Sequence, residues 1–144
     1  MTLLLCGRAA AQEFPDSLFE GFWVGELTQD PGGMAERYPF RMRIRVLQNH
    51  RVEGRTYANI YDDPNFVNFD FTGHISKGKL LTFQETKMVE GTKMKDYEWC
   101  IKGGQLMLSV EKDRYLLRGF WQGVTEQGYT CIPGKIFLEK KRAP

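Results

Sequence analysis

Two histidines, three cysteines and 18 acidic residues are the groups in this 144-residue chain that could bind a metal, attack a substrate or shuttle a proton. Few of them are spaced for such work. His50 falls in a turn and His74 on the outward phase of a strand near its end, and neither has a serine, cysteine or carboxylate that strand pairing would bring to the same inner face. Cys100 and Cys131, with no histidine close in sequence, supply two ligands where a zinc site normally has four. Asp62-Asp63-Pro64-Asn65, with Asp70 beyond, offers oxygens to calcium but lacks the spacing of a known calcium loop, and Pro64 favours a plain turn. No catalytic residue, metal site or cofactor is expected, and the chain reads as non-enzymatic.

The thiols have a better use as a pair. Leu3, Leu4, Leu5 and Cys6 read as the end of an apolar export segment, followed by Ala9, Ala10 and Ala11 in the small-residue pattern that signal peptidase cuts. A cut after Ala11 leaves residues 12–144 as one domain and an exported product, periplasmic or secreted. Acylation of Cys6 is the alternative for this segment, but it wants a small residue before the cysteine, and Leu5 stands there. Cys100 and Cys131 then remain in a compartment where a disulfide persists. They stand 31 positions apart, and closing that loop stabilises a fold by about 3–4 kcal/mol in the chain-entropy model. Two buried free thiols are the other reading.

Net charge is +2, and +1 once Arg8 leaves with the first segment. That is too little to make nucleic acid or an anionic membrane the default partner. Arg41, Arg43, Arg45 and Arg55 with Tyr57 and Tyr61 resemble a basic aromatic platform, yet Arg45 faces Glu53 across a hairpin, and solvated sheet surface is the simpler reading. With 42% apolar and 26% charged residues the composition is that of an ordinary globular domain with no transmembrane segment. Ten phenylalanines, six tyrosines, three tryptophans and 15 glycines lean toward β structure.

The elements that must position these groups are strands. Periodicity places them near 20–28, 38–47, 51–61, 66–75, 79–89, 95–102, 105–111, 114–123 and 131–139. A loop at Gln48-Asn49-His50 sets Val46 opposite Val52, Ile44 opposite Gly54 and Met42 opposite Thr56. A loop at Ser76-Lys77-Gly78 sets Phe71 opposite Phe83 and Phe69 opposite Glu85, with Gly78 in the left-handed region. Two-residue loops at Gly103-Gly104 and Lys112-Asp113 pair Ile101 with Leu106, Trp99 with Leu108, and Leu108 with Leu117. One apolar face runs through all of these pairs. The expected fold is all-β, an antiparallel up-and-down meander of eight to ten strands that closes into a barrel and so removes its edges. Nine is the raw count, and an odd number cannot close with every neighbour antiparallel, so one strand must be miscounted or the last pair must be parallel. Gly21-Phe22-Trp23-Val24-Gly25 recurs as Gly119-Phe120-Trp121-Gln122-Gly123, on strands that could meet where the barrel closes.

Leu18-Phe19-Glu20-Gly21-Phe22-Trp23-Val24-Gly25 resembles the Gly-x-Trp opening shared by the calycins: lipocalins, fatty-acid-binding proteins and avidins. The overall likeness is to small exported bacterial lipocalin-like proteins of unassigned role. The resemblance implies a barrel holding a small apolar molecule. The chain departs from it in having neither a helical lid after its first strand nor a long C-terminal helix.

On the registers above Trp23, Phe40, Met42, Ile44, Phe69, Phe71, Phe83, Glu85, Tyr97, Trp99, Leu108, Leu117 and Trp121 point inward. A barrel of eight strands either fills itself with side chains or holds one small ligand. A candidate ligand site therefore comprises Trp23, Met42, Phe69, Phe71, Phe83, Glu85, Tyr97, Trp99 and Trp121. Glu85 among phenylalanines would cost several kcal/mol if buried alone, so it needs water, a tyrosine such as Tyr97, or a ligand's polar head. Two functions remain open: a carrier of a small hydrophobic molecule, or a solid-cored module acting through its surface in a cell-envelope assembly. For the disulfide to form, Val124 to Thr130 must fold back at Gly128 across three strand spacings, about 14 Å. The loop would then cap one mouth and leave the other for the ligand.

Overall fold

The computed structural model describes residues 13–141, so the export-segment reading and Cys6 lie outside the described residues. A single 3-10 turn, Asp16–Phe19, leads into eight strands: β1 Gly21–Thr28, β2 Arg37–Val46, β3 Arg51–Asn59, β4 Phe66–Ser76, β5 Leu80–Gly91, β6 Cys100–Glu111, β7 Arg114–Thr125 and β8 Gly134–Lys140. Each pairs with the next and β8 pairs antiparallel with β1, closing the barrel. Among the described residues no helix is long and apolar enough to cross a membrane.

The ninth strand of the sequence reading arises at Gly103-Gly104. These glycines are not a turn: they lie inside β6, paired with Gln122 and Trp121 of β7 and with Gln84 and Phe83 of β5. A Cβ on Gly104 would sit 2.0 Å from the Phe120 carbonyl oxygen, so this glycine allows close approach of two backbones rather than a reversal. The expected pairs Ile101 with Leu106 and Trp99 with Leu108 are therefore absent, whereas Leu108 does face Leu117 across the β6–β7 hairpin. The two Gly-Phe-Trp-x-Gly strands, β1 and β7, do not pair with each other but flank β8 on either side.

Three hairpin turns at one end share one mechanism. Asn49-His50, Lys77-Gly78 and Lys112-Asp113 all have positive φ, the pattern of turns whose twist matches that of the flanking strands. The β2–β3 register is as the sequence implies, Met42 opposite Thr56. The β4–β5 register is displaced by two residues, with Phe71 opposite Glu85 and Gly73 opposite Phe83, because the reversal occupies Lys77 and Gly78 and pairing resumes at Ser76 with Leu80. A slip of two preserves the inward face, so the apolar alternation alone could not detect it.

Inward side chains fill the barrel toward that end: Trp23, Phe40, Met42, Ile44, Phe69, Phe71, Phe83, Leu81, Leu106 and Leu117 are all buried. Phe71 and Phe83 meet edge to face, ring centroids 6.2 Å apart. The segment Phe14 to Phe19 plugs the same end, with Phe19 buried in the core and Phe14 and Leu18 packed against it. It is held by backbone and side chain: the Phe14 amide donates to the Gly78 carbonyl at 2.9 Å, Trp23 Nε1 to the Phe19 carbonyl at 2.9 Å, and Lys140 Nζ to the Leu18 carbonyl at 2.8 Å. His50 Nδ1 lies 2.7 Å from Asp16 Oδ2, which gives the turn histidine a structural role. Burial holds the Lys140 ammonium below the usual lysine range.

Outside, Arg41 stacks on Phe22 and Tyr57, Arg45 pairs with Glu53, and Arg55 bonds Asp70 at 3.2 Å. Asp63 Oδ1 accepts from the Asn65 amide at 2.8 Å, closing the acidic loop as a turn.

Candidate functional site

The opposite end is open. There the connections 29–36, 92–99 and 126–133 surround a cup of about 660 Å3 that descends between Leu27, Tyr38, Ala58, Trp99 and Trp121. Its wall is held by hydrogen bonds within and between these connections and the strands beneath them. Trp121 Nε1 donates to the Thr28 carbonyl at 2.8 Å, and Trp99 Nε1 to the Thr92 carbonyl at 2.8 Å. Tyr38 Oη donates to Gln29 Oε1 at 2.6 Å and accepts from the Ala35 amide at 3.0 Å, while Gln29 Nε2 donates to the Ile132 carbonyl at 2.9 Å. Burial raises the Tyr38 hydroxyl above the usual tyrosine range, the Ala35 amide opposing the shift, so it stays a neutral donor at physiological pH. On the outward phase of β1, Glu26 is held below the usual carboxylate range by hydrogen bonds from Tyr61 and Arg37.

The cup exists because β5 and β6 part company. They pair only from Leu80 with Met107 to Gln84 with Gly103, although both strands run further. Beyond that point β5 follows β4 through register shifts between Asn68 and Phe69 and between Asp70 and Phe71, bulges of the kind that bend a strand away from its neighbour. Side chains replace the missing ladder at the fork. The Lys102 amide donates to Glu85 Oε1 at 2.8 Å, and Gln84 Nε2 donates to the Lys102 carbonyl at 3.3 Å. The Lys102 ammonium lies 3.0 Å from the same Glu85 oxygen, donates to the Cys100 carbonyl at 3.2 Å, and sits 4.9 Å from the Phe69 ring centroid. Thr56 Oγ1 donates to Glu85 Oε2 at 2.5 Å. Glu85 is thus hydrogen-bonded by Lys102 and Thr56, not by Tyr97, and Lys102 forms the polar floor of the cup with Glu85 beneath it.

Cys100 and Cys131 form a disulfide with Cα atoms 6.2 Å apart. With Gly103-Gly104 inside β6, Cys100 pairs directly with Thr125 of β7, so the three strand spacings expected between the thiols do not exist. A turn at Thr125 to Tyr129, with Gly128 at φ +93°, returns the chain, and the Cys131 amide donates to the Gly123 carbonyl at 2.9 Å. The bridge lines the open mouth rather than capping it, and the other mouth is the plugged one. Access is therefore at the disulfide end, the reverse of the sequence expectation.

Of the nine candidate ligand residues, Tyr97, Trp99 and Trp121 line the cup. Glu85 lies beneath its floor, and Trp23, Met42, Phe69, Phe71 and Phe83 belong to the solid interior below. Tyr97 is not on an inward strand face: it is 57% exposed, in the β5–β6 connection. Sequence reasoning missed Lys102, Tyr38, Met34, Tyr129 and Ile132, all of which line the cup. Two carried a usable signal. Lys102 shares the inward phase of Leu106 and Leu108, and Tyr38 that of Phe40 and Met42. The other three sit in loops, which have no period to read. No family model matches this chain, and neither a curated protein nor a solved structure matches it.

Proposed function

We propose that this chain is a lipocalin-like, non-enzymatic carrier that takes a small hydrophobic molecule into the cup at the open end of its barrel. The observation that carries the reading is the cup itself: about 660 Å3, walled by Tyr38, Trp99 and Trp121 over a polar floor, within the size range and the mostly apolar character of small-molecule sites. A disulfide in its wall favours work in an oxidising compartment, which supports export to the periplasm or beyond. The second reading, a module acting through its surface, draws on the solid lower barrel and on Phe120, 66% exposed on the outside of β7.

Native mass spectrometry of the purified protein and a fluorescence titration with polyaromatic dyes and long-chain lipids test the choice. Binding should quench or blue-shift Trp99 and Trp121 while Trp23, sealed by Phe19, stays silent. Replacing Trp99 and Trp121 by Phe should remove the response. A silent panel together with no copurified mass would favour the surface module.

A further inference from the structure

The charges around the cup are unevenly disposed, and their disposition selects among hydrophobic ligands. Lys102 is the sole lysine or arginine in the lining. Its side chain is only 5% exposed and its ammonium is committed to Glu85, to the Cys100 carbonyl and to the face of Phe69. A ligand carboxylate reaching that depth would meet a cation already neutralised, and would add a second negative charge beside the buried Glu85. At the mouth the charged side chains that line the cup are acidic. Asp96 and Glu98 both line the mouth and are exposed, and neither has an ion-pair partner among the described residues. Lys93 and Lys95, on the same connection, are absent from the lining. Tyr97 lies between the two carboxylates in sequence, and Trp99 follows them, so acidic and aromatic side chains alternate along one edge. An ammonium is attracted by both kinds of group, through charge and through the negative face of the rings.

We infer that the ligand is a cationic amphiphile: an apolar body against Trp99 and Trp121, and an amine or quaternary ammonium head at the rim beside Asp96 and Glu98. This rests on the ligand-binding reading above and narrows it to a chemical class. Fatty acids, the obvious apolar cargo, are disfavoured by the same charges.

Three probes with one chain length decide it: dodecyltrimethylammonium and dodecanoate below their micellar concentrations and dodecanol below its aqueous solubility, titrated into the full chain by tryptophan fluorescence at low salt. The ammonium should bind about tenfold or more tighter than the carboxylate, with the alcohol between them, since each rim charge attracts one head and repels the other. The gap should narrow as salt rises, because exposed charges are screened. The double variant D96N/E98Q should bring the ammonium and carboxylate affinities together. Dodecanoate binding as tightly as the ammonium, or a gap that survives D96N/E98Q, overturns the inference and leaves the carrier reading standing. Binding of none of the three overturns the carrier reading itself and this inference with it.

Discussion

At the scale of single residues, the Lys102–Glu85 pair combines structural and chemical roles. Its carboxylate takes over hydrogen bonds that the parting of β5 and β6 leaves without a ladder, and its ammonium neutralises that carboxylate under the cup. A buried ion pair is not in itself a large source of stability, because desolvating two ions offsets most of their attraction. Breaking one is another matter. Lys102→Met should cost about 3–5 kcal/mol in denaturant unfolding, because it strands the Glu85 charge. The double variant K102M/E85Q should be more stable than K102M alone, since the neutral amide can still accept from the backbone N–H of position 102 through its oxygen and donate to Thr56 Oγ1 through its nitrogen. If the single and double variants unfold together, the loss is one of packing rather than charge. Glu85 was legible in the sequence as a charge on an apolar face. Its partner Lys102 shares the phase of Leu106 and Leu108, but a turn read at Gly103-Gly104 hides that phase.

Among the elements, the turns at the plugged end carry avoidable strain. Lys112 and Asp113 both adopt positive φ, at 49° and 67°, where a residue with a Cβ is held at a cost of roughly 1–2 kcal/mol. Asn-Gly is the favoured pair for a two-residue hairpin of this twist. The variant K112N/D113G should therefore raise unfolding stability by about 1 kcal/mol without altering tryptophan fluorescence or ligand affinity, because the turn lies at the end remote from the cup. A neutral or destabilising result would mean that Lys112 or Asp113 makes a contact worth as much as the strain. The same scale explains the β4–β5 displacement. Alternation locates an inward face but is unchanged by a slip of two, and only the geometry of Lys77-Gly78 and the bulges opposite Asn68 to Phe71 chose the register.

For the whole molecule, the disulfide decides how firmly the open end is held. Cys100 begins β6 and Cys131 follows the return from β7, so the bridge ties the β5–β6 connection to the β7–β8 connection at the mouth. Closing its loop of 31 positions should stabilise the fold by about 3–4 kcal/mol. C100S/C131S, or the reduced protein, should therefore unfold at lower denaturant by that amount. On the proposed carrier function, reduction should also weaken ligand binding, since loops that must order on binding reduce affinity. Unchanged unfolding after reduction would place the stability in the strands alone. Peptide mapping without reductant should recover Cys100 and Cys131 in one linked species.

The sequence by itself determined the architecture. Alternating apolar residues at Phe40, Met42 and Ile44, at Phe69 and Phe71, and at Leu106 and Leu108 impose strands with one buried face, and a long antiparallel meander lowers its free energy by closing. It also offered Cys100 and Cys131 as a pair, with two free thiols as the alternative, and the structure bridges them. What only the tertiary structure decided was where the interior is full and where it is hollow. Trp23 and Trp121 stand in the same Gly-Phe-Trp string, yet one is sealed by Phe19 and the other lines the cup. The difference lies in what covers each end: the Phe14 to Phe19 plug at one, three parted loops at the other. Such coverage depends on contacts between segments far apart in the chain. The fork of β5 and β6 has the same origin, because a strand's neighbour at a given residue is set by the bulges and pairings of the entire sheet, not by its local alternation.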